Sequence, residues 1–232
     1  RKMKLLTINV HAWIEKNQME KIDILAKAIA EKQYDVIAMQ EVNQLMNNPV
    51  IFDDIRRENY GWVLLEKLQE YTDTDYYYHW SNSHIGYGKY NEGVAIITRH
   101  KIKEEDEFYC TFAQSVRTIS SRRIVSITID YNGQEIEFYS CHMNLPNCET
   151  EDMGKSIQNI LTRTKNDNLK ILMGDFNTDA IGSSEDYKNI ISQGLFDTYT
   201  LAEKKDSGIT VDKSIDGWAN DKSQKRIDYI FS

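Results

Sequence analysis

The chain lacks the features of a membrane protein, a chain of several domains and a disulfide-rich protein. Its 232 residues include only two prolines and three cysteines. No run approaches the roughly 18 consecutive apolar residues of a membrane span, and no repeat, low-complexity tract or Pro/Gly linker divides the sequence. Because 41% of the residues are hydrophobic, there is enough apolar material for a substantial core. We therefore expect a single domain over residues 1–232.

The cysteines and the N-terminus bear on the cellular compartment. Cys110, Cys141 and Cys148 are an odd number without the spacing of metal ligands, which argues against a disulfide framework and fits a reducing environment. The N-terminus is basic and then apolar, but its apolar part is short, is interrupted by Thr7 and Asn9, and precedes no small-residue cleavage site. We expect a first core strand rather than a signal peptide, and a cytoplasmic protein.

Positive charge is also scarce, which bears on the class of ligand. The chain has 36 acidic and 28 basic residues and a formal net charge of −8. Proteins that grip a nucleic acid backbone usually carry a basic surface. The densest basic cluster, Arg122-Arg123 with Lys222, Lys225 and Arg226, suffices for one phosphate group but not for a duplex. A phosphorylated small molecule is favoured as the partner, and nucleic acid is disfavoured.

Predicted strands and helices alternate along the chain. The predicted strands are Met3–Val10, Val36–Met39, Tyr76–Trp80, Gly93–Thr98, Ile124–Asp130, Glu135–Ser140, Lys170–Met173 and Ile227–Phe231. The predicted helices are Met19–Lys32, Thr150–Arg163 and Ser184–Gln193. Residues 43–54 have no clear period and predict a loop, residues 60–68 are ambiguous, and Asn132-Gly133 predicts a hairpin turn. This order predicts an α/β fold with mixed sheets.

Six polar residues stand in or directly after these apolar strands. They are Asn9, Glu41, His142, Asp175, Asn177 and Asp228. Polar side chains at the ends of core strands are costly unless they are paired or bound to an ion, so six of them suggest one shared pocket. Asp175 and Asn177 alternate along an extended chain and can face the same side. A carboxylate that takes a proton from water, beside an amide that donates to an oxyanion, is suited to hydrolysis.

Each of these residues also has an ordinary explanation when it is taken alone. Asn9 fits a turn or a bulge, Glu41 a charge that reaches water at a strand end, and His142 a half-buried histidine with its hydrogen bonds satisfied. Asp228 can form an ion pair with the nearby Arg226. Their joint occurrence favours the pocket.

The motifs around these residues resemble, in order and nearly end to end, those of a known family. They are Thr7-Ile8-Asn9-Val10, Ala38-Met39-Gln40-Glu41-Val42, Glu92-Gly93-Val94-Ala95-Ile96-Ile97, Ser140-Cys141-His142-Met143, Gly174-Asp175-Phe176-Asn177 and Arg226-Ile227-Asp228-Tyr229-Ile230. The set resembles the endonuclease/exonuclease/phosphatase superfamily, which includes DNase I-like nucleases, sphingomyelinases and inositol phosphate phosphatases. The resemblance implies a DNase I-like four-layer α/β/β/α sandwich, in which two mixed β-sheets are flanked by helices and the active site lies at strand ends on one edge.

The resemblance also implies a metal and a substrate site. Glu41 would hold Mg²⁺ or Mn²⁺, hard cations that prefer carboxylate oxygen, and Asn9 would lie beside both the ion and the substrate phosphate. Arg122 and Arg226 are expected to bind the substrate. The implied reaction is hydrolysis of a phosphomonoester or phosphodiester.

The remaining roles concern the displacement itself. Asp175 would orient and deprotonate the attacking water. Asn177 and His142 would donate hydrogen bonds to the phosphoryl oxygens as charge develops there. Asp228 aligns with the aspartate that orients a histidine in this family.

That histidine belongs to a Ser-Asp-His motif, which in the family lies some tens of residues beyond the strand aligned with Ile227–Phe231. The sequence ends at Ser232 and does not contain it. We expect that a C-terminal piece of the native protein is missing from this sequence, because Asp228 would have little reason to be present without its partner. A degenerate member of the family is the alternative.

Other segments bear on specificity and leave alternatives open. The aromatic residues of 76–80 and 84–92 either line a pocket or pack at a strand edge, and residues 120–123 either contact a second phosphate or form a solvated turn. The tryptophan of residues 215–218 belongs either to a substrate loop or to the core. Three functions remain: a divalent-metal phosphoesterase with a small substrate, which is favoured; a nuclease, which would need a basic groove; and a non-catalytic metal- or phosphate-binding relative. A sphingomyelinase-type enzyme is a variant disfavoured by the lack of a signal peptide.

Overall fold

A computed structural model describes residues 2–163, 167–181, 185–211 and 225–232. Its strands are β1 (Leu5–Asn9), β2 (Val36–Leu45), β3 (Val50–Phe52), β4 (Ile55–Arg56), β5 (Tyr77–Gly86), β6 (Tyr90–Thr98), β7 (Ile102–Tyr109), β8 (Arg123–Tyr131), β9 (Gln134–His142), β10 (Leu169–Asp175) and β11 (Asp228–Phe231). Its helices are α1 (Gln18–Lys32), α2 (Tyr60–Leu68), α3 (Met153–Leu161), α4 (Glu185–Ser192) and α5 (Thr198–Leu201).

The strands form two mixed sheets. The first has the order β1-β2-β6-β5, and the second has the order β11-β10-β9-β8-β7. The β1–β2 and β9–β10 pairs are parallel, and the other pairs in these two sheets are antiparallel. β3 and β4 form a separate two-stranded ribbon.

The two sheets pack face to face, and each is covered by helices on its outer side. The core between the sheets contains Val36, Ala38, Val94, Ile96, Val125, Ile127, Ile129, Ile136, Phe138, Ile171 and Met173. Residues of α1 and α2 pack on the first sheet, and residues of α3 and α4 pack on the second. The four-layer α/β/β/α sandwich expected from the sequence is confirmed.

Local sequence explains why the outer helices bury the faces that they do. In α1 the buried residues Ile22, Ala26 and Ile29 recur at helical spacing. At the start of α2 the side chain of Asn59 accepts a hydrogen bond from the backbone N–H of Trp62, which satisfies one donor of the first turn. The ambiguous segment 60–68 is therefore a capped helix.

Several predictions about the elements are confirmed, one is wrong, and one strand was not predicted. The hairpin is formed by β8 and β9, with Asn132 and Gly133 both in left-handed conformations (φ 54° and 86°). The predicted loop over 43–54 is wrong, because β2 continues past a bulge as far as Leu45 and β3 follows. β7 was missed because its sequence, IKEEDEFY, is largely exposed and carries four acidic residues, which are disfavoured in strands.

The sheet directions bring several strand ends to one edge of the sandwich. β1 ends at Asn9, and β9 and β10 run parallel to each other and end at His142 and Asp175. Asp228, the first residue of β11, lies opposite Asp175 in the antiparallel β10–β11 pair. Among the described residues, no helix is long and apolar enough to cross a membrane. All three cysteines are free thiols.

Candidate active site

A pocket of about 450 Å³ opens at this edge, between the ends of the two sheets. It is lined by Asn9, His11, Glu41, His84, Gly86, Tyr87, Glu92, Ile119, Arg122, His142, Leu145, Asp175, Asn177 and Ile227. A wider depression of about 900 Å³ lies between α3 and residues 110–112 and 143–146. The wider depression is lined by none of the six strand-end polar residues. The smaller pocket is therefore the candidate active site.

Asn9 links the two sheets across the pocket. Its amide nitrogen donates a hydrogen bond to Glu41 Oε2 and a second one, of 3.2 Å, to Asp175 Oδ2. Its Oδ1 accepts from the backbone N–H of His11 at 3.2 Å. Asn9, Glu41 and Asp175, which come from β1, β2 and β10, therefore form one contact group.

A bulge in β2 orients Glu41 towards this group. The pairing of β2 with β6 shifts between Met39 and Val42, and Glu41 has a φ of +52°. A left-handed backbone at a residue other than glycine is typical of a strained or functional position. The Glu41 carboxylate is 8% exposed, and its Oε2 also lies 3.1 Å from Nε2 of His11.

Gly174 allows β10 to carry Asp175 into the site. A Cβ at position 174 would lie 1.9 Å from the backbone oxygen of Cys141 on β9, so only glycine permits this approach. Asp175 Oδ1 then accepts from the backbone N–H of Asn177 at 3.0 Å. The side-chain amide of Asn177 donates to the backbone oxygen of Met143 at 2.8 Å. The β9 and β10 ends are thereby fixed relative to each other.

Burial raises the pKa values of two carboxyl groups, and like charge adds to the effect at one of them. Burial raises the pKa of Asp175 well above its usual value, and Asp228 and Glu41 add to this effect. Burial also raises the pKa of Asp228 to about 6, although Thr210 and His11 oppose the shift. The pocket thus holds more negative charge than its own cations neutralise, which favours a bound proton or a cation.

His142 has a defined protonation state. Burial lowers the pKa of His142 well below its usual value, and Arg122, His84 and His11 lower it further. The Nη1 of Arg122 lies 3.2 Å from Nδ1 of His142. Because a guanidinium can only donate, Nδ1 is the acceptor, and the proton of the neutral ring is on Nε2. Nε2 is 3.9 Å from Asp175 Oδ2, so the ring presents an N–H donor to the pocket.

Arg122 lines the pocket together with three carboxylates. Its Nε donates to Asn144 Oδ1 at 3.0 Å, which fixes the guanidinium. Burial lowers the pKa of Arg122, while the charges of Glu92, Asp175 and Glu41 raise it. The side chain is therefore a permanent cation placed among three carboxylates.

The structure corrects the expectation that Arg226 binds the substrate. Its Nη1 forms an ion pair of 2.8 Å with Asp197 Oδ2, and its guanidinium stacks on the rings of Tyr199 and Tyr229 at 4.5 and 5.0 Å. It does not line the pocket. The same contacts remove the suggested Arg226–Asp228 ion pair, because Arg226 has Asp197 as its partner.

The chain is similar to known proteins along nearly its whole length. Residues 16–232 match the model of the Endonuclease/Exonuclease/phosphatase family. A solved structure from Leptotrichia buccalis C-1013-b, an endonuclease/exonuclease/phosphatase family protein, is 83% identical, with a TM-score of 0.95 over 99% of this chain and 87% of that one. The chain belongs to the endonuclease/exonuclease/phosphatase family.

More distant structures share the fold. A mannosyl-6-phosphatase of Bacteroides thetaiotaomicron VPI-5482 is 19% identical, with a TM-score of 0.71 over 99% of this chain and 85% of that one. D. rerio TDP2, in complex with a single-strand DNA product, is 16% identical, with a TM-score of 0.68 over 99% and 82%. No curated protein matched the chain. The family is one of phosphate-ester hydrolases that includes phosphatases and nucleases.

Sequence reasoning gave His11 no role and left residues 84–92 with two alternatives, whereas His11, His84, Tyr87 and Glu92 all line the pocket. His11 directly follows the predicted strand Met3–Val10, and this position is the signal that could have found it. A local signal within 84–92 was Tyr87-Gly88, whose residues both have positive φ, 52° and 68°.

The two aromatic segments, for which the sequence left two explanations, differ in where they lie. Tyr76, Tyr78 and Trp80 pack with the core under α1 and α2, whereas residues 84–92 supply pocket residues. Arg123 is held outside the pocket by Ser81 and Glu107. The Ile215-Trp218 segment and Lys222 lie outside the described residues.

Proposed function

We propose that this chain is a divalent-metal-dependent phosphoesterase, which hydrolyses a small phosphomonoester or phosphodiester by in-line attack of an activated water. The observation that carries the proposal is the contact group of Asn9, Glu41 and Asp175, joined across the two sheets by hydrogen bonds from one amide. His142 and Arg122 line the same pocket as these three residues. A water, a phosphoryl group and two types of hydrogen-bond donor can therefore meet in one small space.

The donor set fits Mg²⁺, with Mn²⁺ as a second possibility. Glu41 offers carboxylate oxygens, which both ions prefer, and the raised pKa of Asp175 marks a position where a positive charge is favourable. Asn9 turns its amide nitrogen to Glu41 and its oxygen to the backbone N–H of His11, so it would be a ligand only with its amide group reversed. Among the described residues, no group of three or more His, Cys, Asp or Glu side chains is arranged around one point. Mg²⁺ does not need such a group, because it is usually held by one or two carboxylates, water and substrate phosphate. When bound, the ion would neutralise charge on the phosphoryl group.

Asp175 is suited to orient and deprotonate the attacking water. Its two oxygens are fixed by the backbone N–H of Asn177 and the amide of Asn9, so that the carboxylate cannot rotate freely. A cation held by Glu41 and Asn9 would lower the raised pKa of Asp175 and leave it ionised as a base. Asp228 lies opposite Asp175 in the β10–β11 pair. Its carboxylate would orient a neighbouring side chain at the same edge of the sandwich.

The hydrogen-bond donors would stabilise the charge that develops on the phosphoryl oxygens. His142 presents a neutral Nε2–H, and Arg122 presents a guanidinium that Asn144 holds in place. Asn177 has a more limited part than expected from the sequence, because its amide donates to Met143 O. Donors that are fixed before reaction are usually the largest single contribution of an enzyme to such displacements.

Size and charge favour a small substrate. A pocket of about 450 Å³ is in the range of small-molecule sites, and the net charge of −8 opposes the binding of a polyanion. The mannosyl-6-phosphatase and the DNA-bound TDP2 show that this fold accommodates both classes of substrate. Because the DNA-bound TDP2 shares the fold, a nuclease is the second candidate. Free thiols at all three cysteines are compatible with the cytoplasmic location that we propose.

The test is hydrolysis by the native-length protein across a substrate panel, with Mg²⁺, with Mn²⁺ and with EDTA. The panel contains p-nitrophenyl phosphate, bis-p-nitrophenyl phosphate, sugar phosphates, sphingomyelin, plasmid DNA and RNA. We expect metal-dependent turnover of the small esters and its loss in Glu41→Gln. Preferential, salt-sensitive cleavage of DNA or RNA would replace the proposal by the nuclease. Metal binding without turnover of any substrate would leave a binding protein.

A further inference from the structure

The two adjacent arginines at the start of β8 differ in their partners. Arg123 forms an ion pair with Glu107, in which Nη2 lies 3.3 Å from Oε1, and it does not line the pocket. Arg122 lines the pocket, and its guanidinium contacts two uncharged groups, Oδ1 of Asn144 and the ring of His142. Among the described residues, no ion pair joins Arg122 to a carboxylate. Its charge is therefore available to a ligand, whereas that of Arg123 is not.

Three carboxylates of the pocket compete with a ligand for the guanidinium of Arg122. Burial lowers the pKa of Arg122, and Glu92 is the largest of the charges that raise it. The charges of Asp175 and Glu41 follow, but Asn9 already donates to both of these carboxylates. A guanidinium binds carboxylates and phosphates through the same paired hydrogen bonds. An ionised Glu92 would therefore be the strongest competitor of a substrate phosphate.

The carboxyl group of Glu92 is bound by an imidazole instead of by Arg122. His84 and Glu92 lie directly opposite each other in the β5–β6 pairing, so their side chains project on the same face of the sheet. His84 Nε2 is 2.7 Å from Glu92 Oε2. The two residues are 1% and 7% exposed, and both line the pocket. The catalytic scheme above gives neither of them a role.

The hydrogen bonds of this pair require one shared proton. His84 Nδ1 lies 3.0 Å from the backbone oxygen of Ser121, which can only accept, so Nδ1 must donate. Nε2 would then be an acceptor in a neutral ring, yet it faces a carboxyl oxygen at 2.7 Å. A proton must therefore lie between Nε2 and Oε2, whichever group owns it. The pair as a whole then carries no net charge, although it contains a carboxyl group.

The same histidine is joined to the backbone that carries Arg122. His84 Nδ1 bonds the oxygen of Ser121, the residue directly before Arg122. From the other side, Asn144 accepts from Arg122 Nε at 3.0 Å and donates from its own amide to the backbone oxygen of Ser120, also at 3.0 Å. The segment before β8 is thus held by β5 on one side and by the residues after β9 on the other. The guanidinium and the neutral pair are fixed relative to each other.

We propose that His84 is a positioning residue that keeps Arg122 available for the substrate phosphate, because it shares a proton with Glu92 and so cancels the charge of a competing carboxylate. This inference rests on the proposed phosphoesterase function, in which Arg122 binds the phosphoryl group. Glu107 has the opposite effect on Arg123, because it remains a carboxylate within ion-pair distance of that guanidinium.

A pair that only stabilises the wall of the pocket makes a different prediction. Removing one member of a buried pair leaves the other uncompensated, and this is costly for any such pair. If His84 acted only through packing, removing Glu92 as well would not restore what the loss of His84 had cost. If His84 acts by cancelling a charge, removing that charge restores ligand binding. The double variant therefore separates the two explanations.

The experiment measures the binding of inorganic phosphate by calorimetry in the presence of Mg²⁺. The native-length wild type is compared with His84→Gln, with Glu92→Gln and with the variant that carries both substitutions. Glutamine at position 84 keeps an amide donor for Ser121 O, but it cannot hold a proton beside Glu92, which leaves the carboxylate ionised. His79→Gln is the matched control, because His79 lies on the same strand and faces Glu107 at 3.4 Å, but outside the pocket.

We expect His84→Gln to weaken phosphate binding by about 10- to 100-fold, the usual loss for a hydrogen bond to a charged group, because Glu92 then competes for Arg122. Glu92→Gln should bind phosphate at least as tightly as the wild type, and the double variant should recover most of the affinity that His84→Gln loses. His79→Gln should behave as wild type. The double variant leaves no charge at these two positions, so it tests the proposal even where His84→Gln does not fold.

Four results would overturn the role of His84. They are a wild type that binds no phosphate, unchanged binding in a folded His84→Gln, binding in Glu92→Gln that is weaker than in the wild type, and a double variant in which the affinity is not recovered. The failure of the phosphoesterase proposal is distinguishable from these. If the expected differences in phosphate binding were found but p-nitrophenyl phosphate were not hydrolysed, the role of His84 at an anion site would stand and the proposed hydrolysis would not.

Discussion

His142 is the residue whose chemical state depends most on its neighbours. Burial and the nearby cations hold its pKa well below the usual value, and Arg122 fixes the acceptor at Nδ1. A ring in this state donates through Nε2 without needing to be charged. Sequence alone placed His142 at a strand end, but it could not give this tautomer, because the tautomer is set by Arg122, which directly precedes β8.

We expect His142→Ala to lower kcat on the best substrate by about 10²–10³, the usual cost of losing one fixed donor to a developing oxyanion. His79→Ala is the control, because His79 lies on β5 but does not line the pocket. Nitrogen NMR of the wild type should show a neutral His142 ring protonated on Nε2 throughout pH 5–8. A ring that titrates in this range would contradict the assignment.

Asp228 gives a prediction for the pH dependence of stability. Its pKa is raised to about 6 in the folded chain, whereas an unfolded aspartate titrates near 3.9. Between these values the folded state binds more protons than the unfolded state, so the free energy of unfolding falls as the pH rises from about 4 to 6 and does not fall further for this reason above that.

The substitution Asp228→Asn should remove this fall in the free energy of unfolding between about pH 4 and 6. In metal-free protein with EDTA, the variant should be more stable than wild type above pH 6, by on the order of 1–3 kcal/mol, and about equal to it at pH 4. Thermal denaturation across pH 4–8 measures the difference. A variant that is destabilised equally at every pH would show that Asp228 acts through packing or a hydrogen bond rather than through its charge.

At the scale of single elements, β10 shows how a strand end becomes a site. The apolar run before Gly174 predicted a buried strand, and the structure has β10 there. The glycine is required because β10 approaches β9 too closely for any side chain. The need for glycine at position 174, and its effect on the position of Asp175, can therefore be recognised only when the neighbouring strand β9 is known.

Gly174→Ala should separate β10 from β9 and displace Asp175 from Asn9. We expect a loss of about 1–3 kcal/mol of stability, as for other overpacked positions, and a loss of turnover larger than that of stability-matched variants. Gly133→Ala is the control: its turn is remote from the pocket and a Cβ there meets nothing within 4 Å, so it should lose some stability and no activity. Full activity in Gly174→Ala would contradict this account of β10.

Strand periodicity predicted the core elements well and the irregular ones poorly. Short apolar runs gave β6, β8 and β9 because most residues on both sheet faces are buried there, and a similar run gave β1, whose residues are half-buried. The bulge at Glu41 and the shift in β5–β6 pairing between Asn82 and His84 have no signal in one sequence, since each depends on the register of a neighbouring strand. His84 and Glu92, which are paired across β5 and β6, could not be placed in the pocket from the sequence for that reason.

At the scale of the whole molecule, the site exists only where the two sheets meet. Asn9 and Glu41 belong to the first sheet and Asp175 to the second, and the amide of Asn9 joins them. The family resemblance supplied this juxtaposition in advance, whereas residue patterns alone could only suggest a shared pocket. The position of Arg226 outside the pocket could not be foreseen, because Asp197 and Tyr199, which hold it, are distant in sequence.

A cation that binds across the two sheets should stabilise the folded state by mass action. We expect Mg²⁺ at 100 times its dissociation constant to raise the free energy of unfolding by about 2.7 kcal/mol in the wild type and by much less in Glu41→Gln. Chemical denaturation with Mg²⁺ or EDTA measures this without any substrate. The same stabilisation in both proteins would place the ion elsewhere.

The most direct test of the account is the rate of p-nitrophenyl phosphate and bis-p-nitrophenyl phosphate hydrolysis by native-length wild type and Asp175→Asn, each with Mg²⁺ and with EDTA. Asparagine at position 175 keeps the size of the side chain and one of the two hydrogen bonds that Asp175 accepts from Asn9 and Asn177, but it cannot accept a proton from water. The account predicts turnover in the wild type that EDTA abolishes and Mg²⁺ restores, and a folded variant that binds Mg²⁺ without turnover. Equal rates in the two proteins, or turnover that is indifferent to EDTA, would contradict it.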